Sequence, residues 1–191
     1  MTELEEFRKR KDEFFSAKGG SASGGKTGAE SPILAEERPS FAGLKYFPED
    51  PTLRFLIPLA RVPEKELEFE TSSGEKKIFK RMGKLNFSVE GQPVQLTLYR
   101  AASGSYFLPF RDATSGKETY GAGRYLEVEE NEDKFELDFN YAYNPYCAYT
   151  SGYSCPLPPL ENWLKVTIRA GERNYLAKRD ATEDNRGQHH D

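Results

Sequence analysis

Eight side chains in two stretches have the types and spacing from which a binding site could be assembled. Arg111, Asp112, Tyr120 and Arg124 lie in a polar run, residues 111–126, that also holds Thr114, Glu118 and Thr119. Two guanidiniums there could fork onto a carboxylate or phosphate, because arginine presents paired donors to planar oxyanions. Asn144, Tyr146, Cys147 and Asn162 lie in DFNYAYNPYCAYTSGYSCPLPPLENW, residues 138–163, which packs five Tyr, four Pro, three Asn and both Cys of the chain. Loops longer than about 12–15 residues are usually functional or disordered, and this one is too aromatic for disorder. It reads as an ordered lid, stiffened by its prolines, whose tyrosines bury rings and offer hydroxyls. The two stretches are expected to meet at one end of a domain and enclose a pocket for a small organic ligand. The ligand is an anion if Arg124, and second Arg111, anchors it. A structural reading of the same residues stays open. In it Asp112 and Thr114 cap a turn, Gly116 takes positive φ, Asn144 and Asn162 hold backbone, and the tyrosines seal a barrel end.

Other chemistries have less support. Cys147 and Cys155 are eight positions apart, and the only histidines are His189 and His190 near the C-terminus. Zinc takes three or four ligands, commonly in closer pairs, so no metal and no cofactor is expected. A cysteine or serine nucleophile lacks a histidine base in the body of the chain. Acid–base work by Asp112, Glu118, Asp138 or Glu161 remains open. The alternatives to ligand binding are therefore a metal-independent enzyme using carboxylate, Arg and Tyr groups of the same pocket, or a structural or protein-interaction module. The run from Gly20 to Thr27, GSASGGKT, has the letters of a phosphate-binding loop without its strand–loop–helix setting.

Composition narrows the class. The chain has 191 residues, 30% of them charged, with a net charge of −4. That balance argues against bulk electrostatic binding to nucleic acid or anionic membrane, and no apolar run approaches the roughly 18 residues of a membrane span. The charged N-terminal segment lacks the apolar core of a signal peptide. A cytoplasmic location with both cysteines reduced is expected. No protein partner is indicated.

The elements that must position the eight residues follow from periodicity. Residues 1–17 predict an amphipathic helix, with Leu4, Phe7, Phe14 and Phe15 on one side and Thr2 and Glu5 as a capping box. It packs on the domain or docks a partner. Residues 18–30 read as a flexible Gly/Ser linker, 31–173 as the β domain and 174–191 as a polar tail. Within the β domain nine strand-like runs stand out, near residues 53–57, 66–70, 77–82, 84–89, 94–99, 105–110, 120–129, 134–140 and 164–169. Short alternating runs between turns predict a mainly β fold, an antiparallel barrel or sandwich of about eight to nine strands with an N-terminal helix.

Three blocks carry a family resemblance. They are FRDATSG (110–116), ETYGAGRYL (118–126), and the aromatic loop with NPYCAY (144–149), CPLPP (155–159) and Glu161–Asn162. Together they closely resemble the prokaryotic family catalogued as domain of unknown function 1684. The entry segment, Glu37 to Pro48, and IRAGE (168–172) are similar to it too. The resemblance spans roughly residues 31–173, with the Gly/Ser run outside it as an insertion. It implies a fold neighbourhood and no known activity.

Overall fold

The computed structural model describes residues 1–17 and 30–175. The Gly/Ser run with its GGKT letters, and the tail beyond residue 175, lie outside the described residues.

Helix α1 (Glu3–Ser16) begins at the expected capping box. The Thr2 hydroxyl accepts from the Glu5 N–H at 3.2 Å, and the Glu5 carboxylate accepts from the Thr2 N–H at 2.7 Å. These bonds satisfy two donors that a helix start leaves open. Leu4 and Phe15 are buried. The Phe15 ring packs edge-on against Tyr149 at 4.9 Å, a burial that contributes on the order of 1.5–3 kcal/mol. On its polar side, Lys11 pairs with Glu172, and Asp12 accepts from the Leu44 N–H at 2.9 Å. The helix is thereby fastened to both the entry segment and the aromatic loop. Tyr175, assigned to the tail by composition, packs against Tyr149 at 5.3 Å.

Seven strands form one antiparallel sheet curled into a half-barrel: β1 (Arg54–Glu70), β2 (Lys76–Val89), β3 (Gln92–Ala101), β4 (Tyr106–Phe110), β5 (Arg124–Leu126), β6 (Glu129–Asn131) and β7 (Lys134–Asp138). Their order is β5-β4-β3-β2-β1-β7-β6. The number is seven, not eight to nine, because two fusions and one lost run outweigh one division. Runs separated by Pro58 and Pro63 fuse into the 17-residue β1, and runs on either side of Gly83 fuse into β2. The run 120–129 divides between β5 and β6. The run 164–169 bends at Lys165–Val166 and joins no strand; side chains and the backbone of Arg111 and Ala113 hold it instead.

The curl has a local cause. Residues 54–58 of β1 pair with β7, whereas 59–61 and 65–70 pair with β2, with a register shift between Arg61 and Lys65. A second shift, between Arg81 and Gly83, interrupts the β2–β3 ladder. Bulges bend a strand and increase its twist. A Cβ on Gly83 would lie 2.6 Å from the Leu59 side chain and 2.7 Å from the Ala60 carbonyl, so the close approach of β1 to β2 at this bend requires glycine. The concave face holds the main core, with Leu85, Leu96, Leu98, Leu108, Phe110, Leu137 and Phe139 all fully buried. A second cluster, Phe69, Phe79 and Tyr99, lies elsewhere on the sheet, and Phe107 of this cluster contacts Tyr125 at 4.9 Å. Beside it the loop is tied to the end of β1, where Leu157 N–H donates to the Glu70 carbonyl at 2.9 Å.

Candidate functional site

The polar hairpin turns its charge inward. Gly123 (φ +101°) packs so tightly that a Cβ would lie 2.5 Å from the Phe110 carbonyl oxygen. The next residue, Arg124, is 1% exposed. Its guanidinium donates to the carbonyls of Ile168 (2.8 Å), Ala170 and Glu172 (3.1 Å), and stands 3.5 Å from the Asp112 carboxylate. Burial lowers the Arg124 pKa from its ordinary value, against the opposing pull of Asp112. Asp112 in turn accepts from the Ile168 N–H (2.6 Å) and the Thr114 hydroxyl (2.9 Å). Together the two side chains serve the backbone of residues 168–172, which no strand pairs. The expected anion anchor is therefore an internal fastener, with a buried arginine meeting its own chain's oxygens.

Other predicted residues have comparable duties. Asn162 is fully buried where the β3–β4 ladder stops. It accepts from the Thr97 N–H (2.8 Å) and donates to the carbonyls of Thr97 (2.9 Å) and Pro109 (2.8 Å). The Arg111 guanidinium lies over the Trp163 ring at 4.1 Å. The Asn144 N–H donates to Glu172 (2.9 Å) and its amide to the Arg173 carbonyl (3.0 Å). Tyr120 is half-buried near Cys147 and Cys155; burial, then these two thiols, raises its pKa. The eight do not share one concavity.

Two concavities do adjoin the aromatic loop. The smaller, about 360 Å³, is lined by Asn144, Tyr146, Tyr125, Tyr143, Tyr153, Cys155 and Lys77 among others. The larger, about 720 Å³, lies between α1, the start of β1, the β6–β7 edge and the loop. Six rings line it: Phe7, Phe14, Phe15, Tyr141, Tyr143 and Tyr146. Phe7 and Tyr141 meet across it edge-to-face at 5.0 Å. Of the eight predicted residues, Asn144 and Tyr146 line these cavities, and Tyr146 lines both.

The charge of the larger cavity is one-sided. Glu3, Glu127, Glu129, Glu136 and Asp138 line it, against Lys11 and Arg54. Both cations are engaged: Lys11 with buried Glu172, and Arg54 with Glu136 (Nε–Oε1 2.8 Å) and Asp138 (3.9 Å). Among the described residues no lysine or arginine forms an ion pair with Glu3, Glu127 or Glu129. Glu129 and Glu136 are direct cross-strand partners, an arrangement that like charges make unfavourable. Burial, then Glu127, raises the Tyr143 pKa. Sequence reasoning missed this wall. Its one signal was acidic residues two apart in two neighbouring runs, Glu127 with Glu129 and Glu136 with Asp138, which period-2 alternation places on one sheet face.

Among the described residues no group of three or more His, Cys, Asp or Glu side chains is placed to hold a metal ion. No described helix is long and apolar enough to cross a membrane.

The fold defines an antiparallel half-barrel domain with an N-terminal helix fastened to the entry segment and to a long aromatic loop. The chain belongs to the family described as "Protein of unknown function (DUF1684)", whose model matches residues 39–173. It is similar to the solution NMR structure of an uncharacterised protein of Haloarcula marismortui, with 38% identity and a TM-score of 0.64 over 89% of this chain and 91% of the other. No curated protein matches the chain.

Proposed function

We propose that the protein binds a small organic cation in the cavity between α1, the β6–β7 edge and the aromatic loop. The observation that carries this reading is the lining itself: six rings and five carboxylates around about 720 Å³, with both lining cations already paired. Aromatic faces attract cations through their quadrupole, and rings backed by carboxylates suit an alkylated or polyvalent amine. The volume falls in the usual range for small-molecule sites, roughly 300–1,000 Å³. The aromatic loop keeps the role its composition suggests, as a wall of the site. The second wall is the helix and the acidic strand edge in place of the 111–124 hairpin, and the favoured ligand charge is positive because Arg124 is buried, with both terminal guanidinium nitrogens bonded to its own chain.

The test is untargeted mass spectrometry of small molecules that co-purify at low ionic strength, followed by thermal shift with probes of each charge. Trimethylammonium compounds and polyamines are expected to raise the melting temperature by a few degrees at saturating concentration. Stabilisation by carboxylates or phosphates, with none by the cations, would overturn the reading.

A further inference from the structure

The two cysteines, eight positions apart in sequence, converge on one serine. The Ser72 hydroxyl oxygen lies 3.0 Å from the Cys147 sulfur and accepts from the Cys155 N–H at 3.0 Å. It donates to the Tyr153 carbonyl at 2.9 Å, to which the Cys147 thiol also donates at 3.2 Å. The Ser72 N–H closes the arrangement by donating to the Cys155 carbonyl at 2.9 Å. The Cys155 thiol lies close enough to Cys147 for the two groups to influence each other's titration. No disulfide joins the two cysteines, and both are partly exposed. The segment between them carries Tyr149, packed on Phe15 of α1, and Tyr153, which lines the smaller cavity beside Cys155.

We infer that Cys147 and Cys155 form a redox-active dithiol, oxidised to a disulfide by exchange with a low-molecular-weight disulfide such as oxidised glutathione. Cys147 is the attacking sulfur. Burial, and then the neighbouring Cys147 thiol, push the Cys155 thiol up to about 11, so Cys155 holds its proton at neutral pH and resolves in the second step. In the first step the Cys147 thiolate attacks one sulfur of the external disulfide. That S–S bond breaks, a mixed disulfide forms at Cys147, and the leaving thiolate takes up the proton Cys147 released. In the second step Cys155, giving its proton to solvent, attacks the Cys147 sulfur and expels the second thiolate, which is protonated in turn. Two protein thiols are oxidised and one external disulfide is reduced to two thiols. The covalent link replaces the hydrogen-bonded clasp at Ser72 and closes the loop segment that walls the smaller cavity.

The experiment equilibrates the full chain in reduced and oxidised glutathione at fixed ratios, quenches with an alkylating agent and maps the products by mass spectrometry. The wild type is expected to lose two hydrogens and give one cross-linked peptide containing both cysteines, reversibly, with a melting temperature several degrees higher. Cys155→Ser is expected to stop at a glutathione adduct on Cys147. Cys147→Ser is expected to react at Cys155 at least about tenfold more slowly than that, because the attacking species is the thiolate. Circular dichroism of each serine variant confirms that it folds. Independent glutathione adducts on both cysteines of the wild type, or thiols that stay unmodified at oxidising ratios, would overturn the proposal.

Discussion

Arg124 and Asn162 show how much of this fold depends on single side chains that serve backbone groups left outside the strand ladders. Replacing Arg124 with lysine keeps the charge but removes the fork that reaches three carbonyls and Asp112. Breaking a buried pair outright costs about 3–5 kcal/mol; because lysine keeps the charge, urea melts of Arg124→Lys are expected to show a loss of up to about that much. An unchanged midpoint would return Arg124 to the list of ligand anchors. Asn162→Ala leaves the Thr97 N–H and the carbonyls of Thr97 and Pro109 without their partner. Since each buried unpaired group costs about 1–3 kcal/mol, a loss of about 3 kcal/mol is expected in the same assay. Residue types alone did not separate these roles. A buried arginine that binds carbonyls 44 to 48 positions away has the same local sequence as one that faces a ligand.

At the scale of elements, helix α1 is joined to the aromatic loop and the segment 168–172 through Lys11 and the buried Glu172, which also accepts from Tyr149 and from the Asn144 N–H. Lys11→Met leaves Glu172 buried with its neutral partners only. It is expected to lower stability by about 3 kcal/mol, the low end for a broken buried pair, and to loosen α1, read as faster amide exchange across Glu3–Ser16. The β6–β7 edge makes an opposite prediction. Glu129→Gln relieves the cross-strand repulsion with Glu136, so the ligand-free melting temperature is expected to hold or rise while cation binding weakens. A fall in stability would show that Glu129 has a structural partner. Alternation made most strands legible: Leu53, Phe55 and Ile57 do face the core. What it hid was continuity. The runs 53–57 and 66–70 read as separate strands, yet they belong to one β1, with Pro58 paired with Lys134 of β7 and Pro63 at the register shift. The segment 164–169 alternates like a strand, but its backbone partners are Asp112, Arg124 and the backbone of Arg111 and Ala113, a substitution that no local pattern encodes.

For the whole molecule, the many buried tyrosines fix a limit on alkaline stability. Burial is the largest influence raising the pKa values of Tyr46, Tyr99, Tyr125 and Tyr149 above the ordinary 10.0. A group with a raised folded pKa keeps its proton in the folded state after the unfolded chain has lost it. Its contribution is therefore fully present below about pH 10 and is lost as pH rises from there toward the folded values. Near-ultraviolet circular dichroism melts are expected to show stability falling steeply above pH 10; a flat profile to pH 11 would mean that these hydroxyls ionise freely in the fold. The candidate site was half legible for a related reason. The aromatic loop announced itself by composition, whereas its opposite wall is assembled from α1 and a strand edge that meet only in the folded chain.

The central claim, recognition of an organic cation by rings and carboxylates, is tested most directly by isothermal titration calorimetry of the full chain at low ionic strength. The probes are choline and its uncharged isostere 3,3-dimethyl-1-butanol, which has the same shape without the charge. The account predicts one-to-one binding of choline, at least about tenfold tighter than the isostere, a difference of about 1.4 kcal/mol. The gap should shrink with added salt and in Glu129→Gln. Equal affinity for the two compounds, or no heat from either, would contradict it.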